Sequence, residues 1–456
     1  MRLIAASSTV WEACEENTFL PPWLNMTPRH VVRESYSGIE PCVSKSENTC
    51  KGFKAEIDRL HFHTEPVTMS EDEKSLFEVL PSHLDTGLRG IPVGTCGTSF
   101  VDPVDGVHYA GYPIADLADF DPEDIVHLLF NKSLPTAEES AAMKQNLASR
   151  SVIPEGALDL FESIGEGQGH PMDWLSIGIM ALGRAEADDD VLEDGMNLIA
   201  WMPELMARLF MKRGGRGDIA CPSNPSLGMV GNFVSMLGME GDDARRAERV
   251  LKSFLVLHMD HGGGNLSTFA GKAVASGRAS LFSSIASAMN ALSGPLHGRA
   301  NQSCLEFVQK VGTSDSNEVE AFVRDELAAK RPIFGFGHAV LRAEDPRATV
   351  QMSIGEEVCP ADPLFSTVRT LREVVPRVLG ENKRISNPNA NVDLVSGTLL
   401  YNAGFMKPAY YTTFFGWARV IGITAQIVDE RTSRGGKGVP IYRPKYIAKD
   451  RTVRRV

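Results

Sequence analysis

SLFSSIASAMNALSGPLHGRANQ, residues 280–302, decides the fold. Leu281, Phe282, Ile285, Met289 and Leu292 recur at helical spacing and predict one buried stripe, which Gly294-Pro295 ends. A second helix resumes near Arg299, with Leu305, Val308 and Val311 predicted to face inward. His297 therefore sits in a tight loop just before a helix N-terminus, where free backbone N–H groups and the helix dipole disfavour an imidazolium. A neutral histidine there is suited to donate a hydrogen bond to a developing oxyanion.

The same periodicity recurs in DPEDIVHLLFN, MDWLSIGIMALGR, NLIAWMPELMARLFMKR and RRAERVLKSFLVLHM. The expected fold class is mainly α. The exception is TSFVDPVDGVHYAGYPI at 98–114, which predicts a short N-terminal hairpin turning at DPVDG, where Pro presets one dihedral and Gly permits the next. Residues 1–68 lack a sustained period and read as a flexible extension. They carry neither a convincing signal peptide nor, given the acidic pair at 15–16, the look of a transit peptide, so a cytoplasmic location is expected.

The 456 residues are enough for two domains, and 43% hydrophobic and 23% charged residues are globular values. A net charge of −12 argues against nonspecific binding to nucleic acid or to an anionic membrane. Any bound anion must be held by local Arg and His clusters. No run of eighteen apolar residues appears. Seven cysteines without a CxxC pair suggest neither a disulfide framework nor a zinc knuckle, and point to a reducing compartment.

Three further stretches change the odds for His297, which alone would be read as structural. HMDHGGGN (258–265) ends a helix in glycines. GFGHAVLRAEDPRA (335–348) places a histidine between glycines with two arginines behind it. NVDLVSGTLLYNAGF (391–405) opens a helix with an aspartate. Together with SGPLHGRANQ these resemble, in order and spacing, the signature segments of citrate synthases. The resemblance extends through GLRGIPVGTCGTSFVDPVDGVHYAGYPIADLA, LPTAEE, GHPMDWL and YRPKY, and covers roughly residues 87–446. Ala110 departs from the arginine that many relatives carry.

The resemblance implies a citrate-synthase-like two-domain helical homodimer with a large domain at 69–298, a small domain at 299–404 that closes over the substrates, and a segment at 405–456 returning to the large domain. It implies condensation of acetyl-CoA with oxaloacetate and hydrolysis of the product thioester to citrate and CoA, with no further cofactor and no metal. By the same resemblance Asp393 is the base, His297 its electrophilic partner, and His338 the group that polarises the ketone. His261, Arg347, Arg419 and Arg443 hold oxaloacetate, with Arg443 reaching into the partner subunit's site. Arg342 is similar to a CoA contact and Asn391 to a position near the acyl group. An aspartate before LVSGTLLY is equally placed to cap a helix, and Asp393 is able to do both.

Rival readings stay open at this point. A 2-methylcitrate synthase would run the same chemistry on propionyl-CoA, and one methylene discriminates by only about 1–3 kcal/mol. His258 and His261, three apart, have a spacing that fits a metal-dependent hydrolase, although no HExxH accompanies them. Cys304 with His297 would suit a thiol acyltransferase, but its place seven residues into a helical pattern reads as core.

Overall fold

The computed structural model describes residues 77–186 and 190–447. The expected flexible extension 1–68, and the boundary proposed after it, lie outside the described residues. By contacts the chain separates into Met1–Pro92 and Val93–Val456. Of the first unit, residues 77–92 are described and hold one 3-10 turn, Pro81–Asp85.

The second unit opens with the expected hairpin. Strands β1 (Ser99–Asp102) and β2 (Gly106–Tyr109) pair antiparallel with Ser99 opposite Tyr109, and a two-residue β3 (Tyr112–Pro113) extends the sheet. The turn depends on one more group than the sequence suggested: Asp102 Oδ1 accepts from the N–H groups of Val104 and Asp105 at 2.7 and 2.9 Å.

Apart from an isolated bridge between Phe336 and Ala390, the other regular elements among the described residues are helical. In order come α1 (Pro122–Asn131), α2 (Ala137–Arg150), α3 (Asp159–Glu162), α4 (Pro171–Glu186), α5 (Val191–Arg213), α6 (Gly228–Met236), α7 (Gly241–His258), α8 (Leu266–Ser276) and α9 (Leu281–Leu292). Then follow α10 (Ala300–Val311), α11 (Ser316–Ala328), α12 (Pro346–Val358), α13 (Pro363–Gly380), α14 (Asp393–Asn402) and α15 (Tyr411–Thr432). The stripe on α9 is buried as expected, and so are Leu305, Val308 and Val311 on α10.

Helix α15 is the hub. It packs against α4, α5, α7, α8 and α9, and is buried on all sides from Tyr411 to Phe414 and from Gly416 to Ile427. A helix so enclosed should be apolar throughout. It nevertheless carries Arg419 at its centre, 3% exposed. A buried guanidinium costs several kcal/mol unless something pairs with it, so its presence points to a site. One turn along, a Cβ on Gly422 would lie 2.1 Å from the Met259 carbonyl oxygen. The absent side chain lets the 259–265 loop press onto α15 beside Arg419.

Candidate active site

His297 lies between α9 and α10 in consecutive turns. Its N–H donates to Gly294 O and that of Gly298 to Leu292 O, each at 3.0 Å. A Cβ on Gly298 would come within 2.3 Å of that Leu292 oxygen, so the turn tolerates only glycine after the histidine. The ring is fixed from α8: the Ser267 backbone N–H donates to Nε2 at 3.2 Å, and Ser267 Oγ lies 2.9 Å from the same atom. A backbone amide can only donate, so Nε2 is an acceptor and a neutral ring keeps its proton on Nδ1. Burial, then the Arg419 charge, push His297 down to about 4. The neutral state matches expectation, and burial and the Arg419 charge favour it in addition to the helix end.

His338 is set the opposite way. The N–H groups of Val340 and Leu341 donate to its Nδ1 at 3.1 and 2.9 Å. The proton of the neutral ring is on Nε2. Burial and the Arg347 charge lower its pKa. The loop that carries it is zipped to the segment before α14: Gly337 N–H donates to Asn389 O and Asn391 N–H to Gly335 O, both at 2.9 Å.

Asn391 closes this zip. Its Nδ2 donates to Gly337 O at 2.9 Å, and its Oδ1 accepts from Asp393 N–H at 3.0 Å. Both ends of the amide are therefore engaged within the chain, as a brace between the His338 loop and the start of α14. Here the helix-cap reading of Asp393 is corrected: α14 begins at Asp393, Val392 occupies the cap position, and the Asp393 carboxyl makes no cap bond. Asn391 supplies the acceptor instead and leaves the Asp393 carboxyl for other work. Burial pushes that carboxyl up to about 6, against the lowering effect of Arg347.

The two buried guanidiniums differ. Arg347 is clasped by Asp345, with Nε to Oδ1 at 3.0 Å and Nη2 to Oδ2 at 2.7 Å. Arg419 has Nε and Nη1 buried with no hydrogen-bond partner, lies over the Phe415 ring at 4.9 Å, and is lowered to about 10, chiefly by burial. Both charges act on His261, which burial and these arginines hold well below the usual histidine value. The His261 ring lies 5.5 Å from that of His338. Arg347 also acts on His338 and Asp393. His261, His297, His338, Arg347, Asp393 and Arg419 thus share one electrostatic neighbourhood.

Two predicted residues stand apart. Arg342 is exposed and folds its Nη1 onto the carbonyls of Val340 and Leu341 at 2.8 and 2.9 Å. Arg443 is exposed and has no ion-pair partner among the described residues.

The rival sites fare differently. His258 points its Nδ1 at Phe254 O, 2.7 Å away, and stacks on the Phe254 ring. Among the described residues no group of three His, Cys, Asp or Glu side chains converges as a metal site. Cys304 is fully buried, and burial with the Asp393 charge pushes its thiol well up, the reverse of an activated nucleophile. Ser267, Asp345 and Asp260 are the functional neighbours that sequence reasoning missed. Asp345 and Asp260 lie inside the signature stretches, beside the residues they hold.

Residues 87–445 match the family model described as citrate synthase, C-terminal domain. The chain belongs to the citrate synthase family. This family member is 36% identical over 397 residues to a mitochondrial 2-methylcitrate synthase of Yarrowia lipolytica, an alignment spanning 81% of this chain and 84% of that one. It is 33% identical over 432 residues to a mitochondrial citrate synthase of Saccharomyces cerevisiae, spanning 88% of each. The crystal structure of the citrate synthase from Thermotoga maritima superposes with a TM-score of 0.69 at 28% identity, covering 81% of this chain and 97% of that chain. The mainly α architecture is thus that of the citrate synthase fold. The enzyme catalyses the family's carbon–carbon condensation, in which an acyl-CoA adds to oxaloacetate and the resulting thioester is hydrolysed.

Proposed function

We propose that acetyl-CoA is the acyl donor and that the site residues divide the work as follows. The Asp393 carboxylate removes a proton from the methyl carbon of the thioester. A methyl thioester is a very weak carbon acid, so a carboxylate alone cannot generate a free enolate, and His297 Nδ1–H hydrogen-bonds the thioester oxygen as the proton leaves. The nucleophilic carbon then attacks the ketone of oxaloacetate while His338 Nε2–H delivers the proton that the new alkoxide requires. Water hydrolyses the citryl thioester to citrate and CoA. Arg347 and Arg419 of one subunit and Arg443 of the partner subunit hold the oxaloacetate carboxylates, with His261 beside them.

The observation that carries this division is the pair of opposite tautomers. Backbone N–H groups occupy Nε2 of His297 and Nδ1 of His338. Each ring is left with one N–H, and Asp393, raised to about 6, is a base matched to near-neutral operation. The exposure of Arg443 without a partner among the described residues supports its service to a second subunit in a homodimer. The same proposal includes a small domain at 299–404 closing on a large domain formed by 69–298 and 405–456, with Arg342 meeting CoA and Asn391 lying near the acyl group. It includes a cytoplasmic location, which imaging of the tagged full-length chain tests against the mitochondrial and peroxisomal locations in the relatives' names.

A second reading, propionyl-CoA as donor, is favoured by the 36% identity to a protein named 2-methylcitrate synthase. Thiol release with oxaloacetate and each thioester decides between them. A kcat/KM for propionyl-CoA above that for acetyl-CoA would overturn the acetyl assignment.

A further inference from the structure

Behind the oxaloacetate loop lies a buried polar chain that the reaction does not require. Asp260 is fully buried; its Oδ1 accepts from His261 N–H at 2.8 Å and from Gln426 Nε2 at 2.7 Å, and its Oδ2 from Thr98 Oγ1 at 2.5 Å. Gln426, on α15, turns its Oε1 to Lys272 Nζ at 3.1 Å. Lys272, on α8 and 4% exposed, pairs with Glu430 Oε1 at 2.8 Å. The same Glu430 oxygen accepts from Tyr442 Oη at 3.1 Å. Tyr442 is held twice more by α8: its N–H donates to Ser276 Oγ at 3.1 Å, and its ring stacks on Phe269 at 5.9 Å. The next residue is Arg443.

The direction of this chain is dictated by chemistry. An amide side chain can flip, exchanging its oxygen and nitrogen at little steric cost. Asp260 offers only acceptors when ionised, so Gln426 must face it with nitrogen. Lys272 reinforces that choice from the other end, because it has only protons to offer and so takes the amide oxygen. Without the ammonium, a flipped Gln426 would set an oxygen against the Asp260 carboxylate, and the carboxylate would lose a donor or move. Its Oδ1 is the atom that holds the His261 amide.

We infer that Lys272 is a positioning residue for oxaloacetate: through Gln426 and Asp260 it fixes the His261 loop, and through Glu430 and Tyr442 it fixes the segment from which Arg443 departs. One ammonium thereby sets a contact to oxaloacetate in its own subunit's site and another in the partner's, while touching neither substrate molecule. The second of these rests on the proposed role of Arg443 in the partner's site; the first does not.

The test is a set of substitutions in the full-length enzyme. Lys272→Met with Glu430→Gln removes both charges together, so that no unpaired ion remains in the core. It should raise KM for oxaloacetate by about tenfold or more while KM for acyl-CoA changes less than about twofold. Gln426→Met leaves the Lys272–Glu430 pair in place and should give the same split, which keeps the test alive should the double variant fold poorly. Lys272→Arg, which retains a donor of the same charge, should restore most of the oxaloacetate affinity. Tyr442→Phe should raise KM for oxaloacetate severalfold through Arg443 alone. Calorimetric titration of oxaloacetate into Gln426→Met in the absence of thioester reads the His261 arm, and does so whichever thioester the enzyme accepts. Equal changes in both KM values accompanying a fall in Tm, or unchanged oxaloacetate affinity in folded Gln426→Met, would show that the chain is merely structural.

Discussion

Asp345 clasps Arg347 through two parallel bonds, 3.0 and 2.7 Å, whereas Arg419, buried just as deeply, has no carboxylate of its own. One guanidinium is neutralised within the chain by a hydrogen-bonded carboxylate, and the other is not. Substitutions at the two sites should therefore have opposite effects on stability. Asp345→Asn strands a buried charge and should destabilise the protein by about 3–5 kcal/mol. Arg419→Met removes one that no carboxylate hydrogen-bonds and that Asp260 offsets only by longer-range attraction. It should raise the Tm of the ligand-free enzyme and abolish most of the further rise that oxaloacetate gives the wild type. Melting curves with and without oxaloacetate check both, and a lower ligand-free Tm for Arg419→Met would show that Arg419 is already paired.

The raised pKa of Asp393 links activity and stability with opposite signs. The folded carboxyl titrates near 6 against an ordinary value of 3.8, so the fold favours its protonated form. That stabilisation is complete below about pH 4 and is lost as pH rises through 6. Asn mimics the protonated acid. Asp393→Asn should thus gain up to about 3 kcal/mol at pH 7 to 8 and nothing near pH 4 or below, while turnover falls by about 10²–10⁴-fold. In the wild type, kcat/KM should rise with pH through about 6. Denaturant melts at the two pH values, beside a pH-rate profile, measure each part; a variant less stable than wild type at pH 8 contradicts it.

Ser267 bears on His297 through both backbone and side chain, and only the second can be removed by mutation. Ser267→Ala keeps the N–H that fixes the Nδ1–H tautomer and loses the Oγ contact at 2.9 Å. The His297 ring should stay neutral but less well held. Exchange of the thioester methyl protons with solvent deuterium should slow by about tenfold, whereas binding of oxaloacetate alone should not change. His297→Ala should slow the same exchange further. Equal exchange in all three proteins would mean that His297 takes no part in enolisation.

How much of this was legible in the sequence depended on distance along the chain. The helices were, because an apolar stripe repeats every three to four residues, and the hairpin was, because its turn residues adjoin. The histidines and Asp393 were visible as displayed residues within ordered motifs. Their supports were not. Ser267 holds His297 from thirty residues away, and Lys272 meets Glu430 at a far greater separation, without any local period to reveal either pairing. Asn391 and Asp393 show the opposite failure. Both lay in one quoted stretch, but which of two neighbouring acceptors would cap α14 was settled only by the Asn391 brace to Gly337.

The last prediction concerns Arg443, which follows Tyr442 and is exposed without an ion-pair partner among the described residues. If it serves the partner subunit's site while Asp393 serves its own, a complete site needs two chains. Arg443→Leu and Asp393→Ala proteins should each be nearly inactive alone. Coexpressed, they form mixed dimers in which one site receives Asp393 from the first chain and Arg443 from the second, while the other site carries both defects. Random pairing makes about half of the dimers mixed, each with one of two sites intact, so activity should recover to about a quarter of wild type. Differential tags allow the mixed dimer to be isolated, and in that preparation the figure should approach about half. Mixed dimers that remain inactive would show that Arg443 does not act across the interface.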